Sequence, residues 1–281
     1  MTEQRMLPRI IAHRGDLTKG IENTMEALNG ALECADGVEI DIRMTSDHHL
    51  IVFHDDSLKR LAPKEYERLG KRKIHDLTLS EIQSVQMPKD GNLLGPFPKG
   101  GYPVETMPLL KKYRTGNGHG ETSGIVTFAQ FCAWLKQTPE NFFAEVEYKE
   151  KDLVEASLAT MKEYDVLHKC ILFSGDRAVI QQLQTWFKEH EKPDGLRLGA
   201  NIRFLNKETM AMIQNIDLYE AGLNGGMYAN HDVLWLKEHG IVTFSNLLDV
   251  PSWWEKLAGS ETACFKTNCA RTVHDYFENM W

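Results

Sequence analysis

The sequence lacks the features that mark secreted, membrane-spanning or nucleic-acid-binding chains. No apolar stretch approaches the roughly 20 residues that a transmembrane helix needs, and the first eight residues lack the apolar core of a secretory signal. Net positive charge is also absent, because 40 acidic residues face 32 basic ones, whereas general nucleic-acid binders neutralise phosphates with positive charge. We therefore expect a cytoplasmic protein with no transmembrane segment and no nucleic-acid partner.

Cysteine is scarce and scattered, which argues against two further classes of protein. The chain has five cysteines, an odd number, and only one loose pair near the end comes close to metal-ligand spacing. This pattern indicates buried reduced thiols rather than a disulfide framework or a zinc site.

What the sequence does contain is a pair of carboxylates in a strand-like segment. Glu39 and Asp41 alternate with Val38, Ile40 and Ile42, so a strand here directs both carboxylates to one face and the aliphatic side chains to the other. Two anions this close repel each other. The pair therefore either faces water with basic partners or binds a hard cation such as Ca²⁺ or Mg²⁺.

Two histidines end neighbouring apolar runs. His13 and Arg14 follow the first run, and His54 follows another shortly after the acidic pair. Imidazoles, an arginine and a metal together suit phosphoryl chemistry. The alternatives are a packed or capped histidine at either position, and a structural ion pair between Arg14 and Glu22.

Four short motifs occur in a fixed order in the first sixty residues, and a fifth follows later. They are His13-Arg14-Gly15, Glu22-Asn23-Thr24, Glu39-Ile40-Asp41, His54-Asp55 and Glu145-Val146-Glu147-Tyr148-Lys149. In this order and at these spacings the motifs resemble the signature of the glycerophosphodiester phosphodiesterase family.

The resemblance implies a role for each of seven residues. It implies that Glu39, Asp41 and Glu147 hold one divalent cation, Ca²⁺ or Mg²⁺, the lysine two places on selecting Glu147 over Glu145. Arg14 and Lys149 would contact the phosphate. His13 and His54 would share the proton transfers, with His13 as the expected base and His54 as the expected acid.

The whole chain shows the pattern of a parallel sheet wrapped by helices. Its 281 residues suit one barrel of about 250 residues with an excursion, or two smaller domains. Eight strands are predicted, beginning near Arg9, Val38, Phe143, Cys170, Leu196, Leu218, Ile241 and Ala263. Among the intervening helices, Thr24 is predicted to cap one with Met25, Leu28 and Leu32 on its inner stripe, and Thr127 with Gln130 is predicted to form the capping box of another. Eight such units predict a TIM (β/α)8 barrel, an α/β fold whose strands end at the catalytic mouth. A central barrel strand has no solvated inward face, which favours the metal site.

The run Leu50 to Phe53 follows the acidic strand too closely for a parallel crossover, so we expect an antiparallel hairpin arm. The basic, glycine- and proline-rich sequence beyond it predicts an inserted subdomain after the second strand. The predicted domains are therefore residues 1–45 and 125–281 for the barrel, and 46–124 for the hairpin arm and the insertion. His119, in a glycine-rich loop of the insertion, is a minor candidate for substrate contact.

Two late positions depart from the family pattern. Thr243 stands where relatives usually carry an aromatic residue, and Asn268 stands where they usually carry aspartate. A pocket wall and a carboxylate near the last strand are therefore expected to be missing, and the headgroup cannot be read from the sequence.

The function that the resemblance implies is metal-dependent hydrolysis of a small-molecule glycerophosphodiester to an alcohol and glycerol phosphate. Two alternatives keep the metal site, namely a lysophospholipase D-like enzyme and a phosphodiesterase that stops at a cyclic phosphate. A third is a non-catalytic relative that binds a phosphodiester or a lipid headgroup.

Overall fold

The computed structural model describes residues 8–88, 122–225, 228–247, 249–258 and 260–278. This part of the chain contains twelve β-strands. The strands are β1 (Arg9–His13), β2 (Gly37–Met44), β3 (Leu50–Val52), β4 (Met87–Pro88), β5 (Thr122–Ser123), β6 (Val126–Thr127), β7 (Phe143–Tyr148), β8 (Cys170–Ser174), β9 (Arg197–Arg203), β10 (Glu220–Asn224), β11 (Val242–Asn246) and β12 (Cys264–Thr267).

Eight of these strands close into a parallel barrel. β1, β2 and β7 to β12 pair in parallel in this order, and β1 pairs with both β2 and β12. The predicted TIM barrel is therefore confirmed, and each of the eight predicted strands overlaps or adjoins one of them.

Helices connect the strands of the barrel, and two short ones lie in the segment between β3 and β4. They are α1 (Met25–Ala31), α2 (Pro63–Arg68), α3 (Leu79–Gln83), α4 (Phe128–Lys136), α5 (Val154–Glu163), α6 (Arg177–Glu189), α7 (Lys207–Ile213), α8 (Asn230–Glu238), α9 (Pro251–Ala258) and α10 (Ala270–Glu278). No helix among the described residues is both long and apolar enough to cross a membrane.

The alternation in β2 divides the barrel wall into two faces. Val38, Ile40 and Ile42 are fully buried in the main hydrophobic core, which joins the strands to the helices. The carboxylates of Glu39 and Asp41 point to the other face, and both residues are 0% exposed. Alternate residues of one strand thus supply the core and the barrel interior, as a strand period of two predicts.

The hairpin arm is present as predicted. β3 pairs antiparallel with β2, with Ile42 opposite Val52, and β6 extends the same edge. The chain beyond β3 packs around its own small cluster, which includes Phe53, Leu58 and Ile82. Residues 89–121, with His119, lie outside the described residues, so the extent of the insertion stays a prediction.

The helix ends agree with the sequence in one case and differ in another. Thr127 and Gln130 form the predicted capping box at the start of α4. Thr24 precedes α1, but its hydroxyl donates to the carbonyl of Ile21 and does not cap the helix. Leu32, predicted on the inner stripe, directly follows the last residue of α1 and is 40% exposed.

Candidate active site

The register of three neighbouring strands assembles the acidic residues. His13 on β1 lies opposite Glu39 on β2, and Glu39 lies opposite Glu145 on β7. Two residues further along the strands, Asp41 lies opposite Glu147. The outer layer is therefore at the C-terminal ends of the strands, where barrels of this type carry their chemistry.

Three carboxylates meet here, two from the outer layer and that of Glu39 from the layer below it. Glu39, Asp41 and Glu147 each place one oxygen within 4.8 Å of the other two. Both carboxylate oxygens of Glu39 are buried and accept no hydrogen bond from the described part of the chain. Burial, together with the charges of Asp41 and Glu147, raises the pKa of Glu39 well above its usual value. Converging, unsatisfied carboxylate oxygens fit a hard divalent cation.

Two basic side chains neutralise part of this cluster. The Nζ atom of Lys149 lies 3.0 Å from Oδ1 of Asp41 and 2.9 Å from Oε2 of Glu147. The Nε atom of Arg14 lies 3.1 Å from Oδ2 of Asp41. Burial alone would raise the pKa of Asp41, but Lys149 and Arg14 outweigh it and hold that pKa well below its usual value. Both cations therefore lie where a bound phosphate would gain from their charge.

The turn after β1 shapes the backbone around Arg14. Arg14 and Asn23 have left-handed φ angles of 62° and 60°, and the backbone N–H of Asn23 donates to the carbonyl of Arg14 at 2.9 Å. Gly15 has φ 92°, and a Cβ atom there would lie 2.7 Å from the backbone of Ala27. Asn23 also donates from Nδ2 to Oδ2 of Asp41 at 2.8 Å. This uncommon conformation holds the turn against the acidic cluster.

His13 is buried between the acidic cluster and the last barrel strand. Its Nε2 atom lies 3.6 Å from Oε2 of Glu39, and its Nδ1 atom lies 2.6 Å from Oδ1 of Asn268. Burial and the neighbouring charge of Arg14 lower the pKa of His13 well below its usual value. The ring is therefore neutral near pH 7, as a proton acceptor must be.

His54 has a different environment, because its partner is a carboxylate. The Nδ1 atom of His54 lies 2.6 Å from Oδ1 of Asp55. Arg60 donates from Nε to Asp55 at 2.7 Å and from Nη1 to Glu22 at 2.8 Å. Burial alone would raise the pKa of Asp55, but the hydrogen bonds from His54 and Arg60 hold that pKa below its usual value.

The ion pair between Arg14 and Glu22 that the sequence suggested is also present, at 2.9 Å. A second arginine, Arg60, also donates to Glu22. Because Glu22 is shared between two arginines, its ion pair with Arg14 is compatible with a role of Arg14 in phosphate binding. Sequence reasoning missed Arg60. A single arginine in a polar segment carries no signal by itself, and its partners lie 5 and 38 residues away.

Below the acidic cluster, the barrel interior holds a second set of charges. Glu145 forms an ion pair with Lys266, whose Nζ lies 3.9 Å from the centre of the Phe173 ring. Burial raises the pKa of Glu145, and burial with the charge of Glu145 raises that of Glu220 well above its usual value. Glu145 lies opposite Glu39, two residues deeper than Glu147, and the oxygens that converge belong to Glu39, Asp41 and Glu147.

A cavity of about 200 Å³ opens beside the site at the ends of β8 and β9. Its lining includes Gly175, Asn201, Arg203, Phe204 and Met212. A Cβ atom on Gly175 would lie 3.6 Å from Oε1 of Glu147, so the cavity adjoins the acidic cluster. Phe204, which lines this cavity, is 42% exposed.

Comparisons with known proteins show what the chain is similar to. Residues 13–187 match the model of the glycerophosphoryl diester phosphodiesterase family. A glycerophosphodiester phosphodiesterase of Caldanaerobacter subterraneus subsp. tengcongensis is 40% identical over 77 residues, which are 27% of this chain and 29% of the relative. A lysophospholipase D of Homo sapiens is 41% identical over 59 residues, 21% of this chain and 19% of the relative. The chain thus spans less than a third of the length of either relative.

A solved structure extends the similarity to the whole fold. The phosphodiesterase of Oleispira antarctica in complex with the product sn-glycerol-3-phosphate has a TM-score of 0.68, with 97% of each chain covered and 18% identity. At this identity the similarity shows the barrel fold alone. The family match, however, covers well over half of the chain and includes all seven residues predicted for the site. The chain therefore belongs to the glycerophosphoryl diester phosphodiesterase family.

Proposed function

We propose that this protein hydrolyses glycerophosphodiesters to an alcohol and glycerol phosphate in a reaction that needs a divalent cation. The observation that supports the proposal best is the convergence of three carboxylates within 4.8 Å, beside two histidines and two cations. Membership of the family supports a phosphodiester as the substrate class.

Glu39, Asp41 and Glu147 would hold one Ca²⁺ or Mg²⁺, which supplies Lewis-acid polarisation of the phosphoryl oxygens when bound. Arg14 and Lys149 neutralise the phosphate charge from the positions that they occupy against Asp41. His13 accepts the proton of the nucleophile, and His54 donates a proton to the leaving oxygen.

The nucleophile that suits this arrangement best is the hydroxyl next to the phosphorylated carbon of the glycerol. Its oxygen bonds to phosphorus while the bond to the leaving alcohol breaks, which gives a cyclic phosphate that water then opens. Effective molarities of about 10⁵ M or more favour such internal attack over capture of free water.

A diester without this neighbouring hydroxyl is therefore expected to bind but scarcely react. Single-turnover measurements on native and deoxy substrates compare the two routes directly. Similar rates for both substrates would show that water attacks the phosphorus without a cyclic intermediate.

Lysophospholipids are a second candidate substrate class. The human relative named above is a lysophospholipase D, and the cavity beside Glu147 offers apolar side chains, Phe204 and Met212, to the acyl chain on the glycerol side of such a substrate. The cytoplasmic location and the absence of a nucleic-acid partner stay predictions from the sequence.

Phosphorus NMR on a substrate panel tests the proposal and separates its alternatives. Glycerophosphocholine, glycerophosphoethanolamine and lysophosphatidylcholine are each incubated with the protein and Ca²⁺ or Mg²⁺. Glycerol phosphate released from the first two supports the proposed reaction, and faster cleavage of the third supports the lysophospholipase D. Tight binding of these compounds without turnover would contradict an enzyme and favour a binding protein.

A further inference from the structure

A chain of hydrogen bonds runs from His13 through Asn268 to Asp249. No step of the proposed reaction involves Asn268 or Asp249. Asn268 directly follows β12, and the parallel register of β12 with β1 brings it beside His13. The Oδ1 atom of Asn268 lies 2.6 Å from Nδ1 of His13, and its Nδ2 atom lies 2.6 Å from Oδ2 of Asp249. His13, Asn268 and Asp249 are only 8%, 7% and 3% exposed, so water competes little for these bonds.

Asp249 fixes the direction of every hydrogen bond in this chain. Its Oδ1 atom accepts from the backbone N–H of Asn268 at 2.8 Å and from the hydroxyl of Thr267 at 2.7 Å. Burial raises the pKa of Asp249 above its usual value, against the hydrogen bonds from Asn268 and Thr267. In its ionised form the carboxylate only accepts, so the NH₂ group of Asn268 faces Asp249 and its carbonyl oxygen faces His13. The chemistry of the partners therefore assigns the amide, whose oxygen and nitrogen are otherwise hard to tell apart.

The amide orientation decides which ring nitrogen of His13 carries the proton. The Oδ1 atom of Asn268 can only accept, so Nδ1 of His13 must donate. In the neutral ring, Nε2 then keeps its lone pair, and Nε2 is the atom that lies 3.6 Å from Glu39 in the acidic cluster. A lone pair at this place suits a base that takes a proton inside the site.

The second histidine faces a different acceptor. Nδ1 of His54 lies 2.6 Å from the carboxylate of Asp55, which can accept a hydrogen bond from a ring N–H. The two histidines therefore differ in the group that orients the ring, which is a neutral amide for His13 and a carboxylate for His54.

We propose that Asp249 is a positioning residue that acts through Asn268, holds His13 in the Nδ1–H form and thereby makes Nε2 of His13 the general base. The inference rests on the proposed function, which it deepens by dividing the proton transfers. Asn268 stands where relatives usually carry an aspartate, and Asp249 brings a carboxylate to the same region. Asp249 lies in the segment between β11 and α9 and reaches the end of β12 from there.

The tautomer of His13 can be measured without any turnover. A long-range ¹H–¹⁵N correlation spectrum of the Ca²⁺-containing protein, with His13→Gln for assignment, distinguishes a protonated ring nitrogen from a bare one. We expect the proton on Nδ1 and a bare Nε2. A proton on Nε2 with a bare Nδ1 would overturn the proposal.

A pair of substitutions tests the same chain in catalysis. In Asp249→Asn the new amide has to present NH₂ towards Asn268, which turns the NH₂ group of Asn268 towards His13 and moves the ring proton to Nε2. We expect kcat to fall by about 10²–10⁴, the usual worth of a general base, with KM and Ca²⁺ affinity unchanged. The double variant Asp249→Asn with Asn268→Asp restores an acceptor towards His13, and its kcat should recover.

Asp217→Asn is the matched control, because Asp217 is an exposed carboxylate that pairs only with Lys192 among the partners that the structure gives it. Its kcat should equal that of the wild type. An unchanged kcat in Asp249→Asn, or a double variant no faster than the single one, would contradict the positioning role. If no diester is cleaved, the proposed function fails, and the NMR spectrum still decides the hydrogen-bond chain.

Discussion

At the scale of single residues, the site combines groups that repel each other. Among the described residues no lysine or arginine forms an ion pair with Glu39, whereas Asp41 is held between Lys149 and Arg14. Burial raises the pKa of both carboxylates, but only at Asp41 do the neighbouring cations outweigh it, so the pKa of Glu39 rises and that of Asp41 falls. Such local conflict is common where a site serves function rather than stability.

Substitutions at Glu39 and His54 should separate metal binding from proton transfer. Glu39→Ala should lose metal affinity and activity together, because it removes a carboxylate of the cluster. His54→Ala should keep the metal and lose rate by about 10²–10⁴. Metal titrations with parallel kinetics check this, with His49→Ala on the exposed turn as control. Metal binding in His54→Ala as weak as in Glu39→Ala would make His54 a ligand.

The five cysteines should be unreactive in the folded protein. All five are free and buried, and burial raises the pKa of Cys34, Cys170 and Cys264 to about 12. Little thiolate is then present at neutral pH. A thiol reagent such as DTNB should label none of them in buffer and all five in denaturant. Rapid labelling of one cysteine in buffer would show an exposed thiol.

At the scale of elements, β12 contributes more than its sequence suggests. Lys266 lies inside the barrel, pairs with Glu145 and contacts the rings of Phe173 and Phe244. The positive charge of the buried lysine offsets the negative charge of carboxylates at the bottom of the site, which would otherwise be buried without a cation.

Removing this lysine should destabilise the fold strongly. Lys266→Met leaves buried carboxylates without their cation, and breaking such a buried pair costs about 3–5 kcal/mol of unfolding free energy. Lys237→Met removes an exposed pair with Glu261 and should change stability little. Urea unfolding of both variants makes the comparison, and equal midpoints would show that the buried pair contributes nothing.

Patterns among neighbouring residues of the sequence correctly predicted those elements whose structure depends on the local sequence. The alternation around Glu39 predicted an inward acidic face, and the short link to Leu50 predicted the hairpin. Sequence reasoning missed Arg60 and Asp249, because neither belongs to a motif and their partners Glu22 and Asn268 lie 38 and 19 residues away along the chain. The capping role assigned to Thr24 was wrong, because its hydroxyl has a nearer acceptor in the carbonyl of Ile21.

At the scale of the whole molecule, closure of the barrel makes the site possible. β1, β2, β7 and β12 supply its residues from positions that lie more than 200 residues apart, as the contact of His13 with Asn268 shows. The hairpin arm adds His54 from outside the barrel. Only a closed sheet brings the first and last strands together in this way.

Restoring the metal to stripped protein tests the central claim most directly, because the account makes the three carboxylates a cation site on which cleavage depends. The protein is treated with EDTA, the chelator is removed, and release of glycerol phosphate from glycerophosphocholine is followed while Ca²⁺ or Mg²⁺ is added back. We predict no release from the stripped protein and a recovery that saturates at one bound ion per chain, with Glu39→Ala inactive throughout. Full release in EDTA, or equal recovery in Glu39→Ala, would contradict the account.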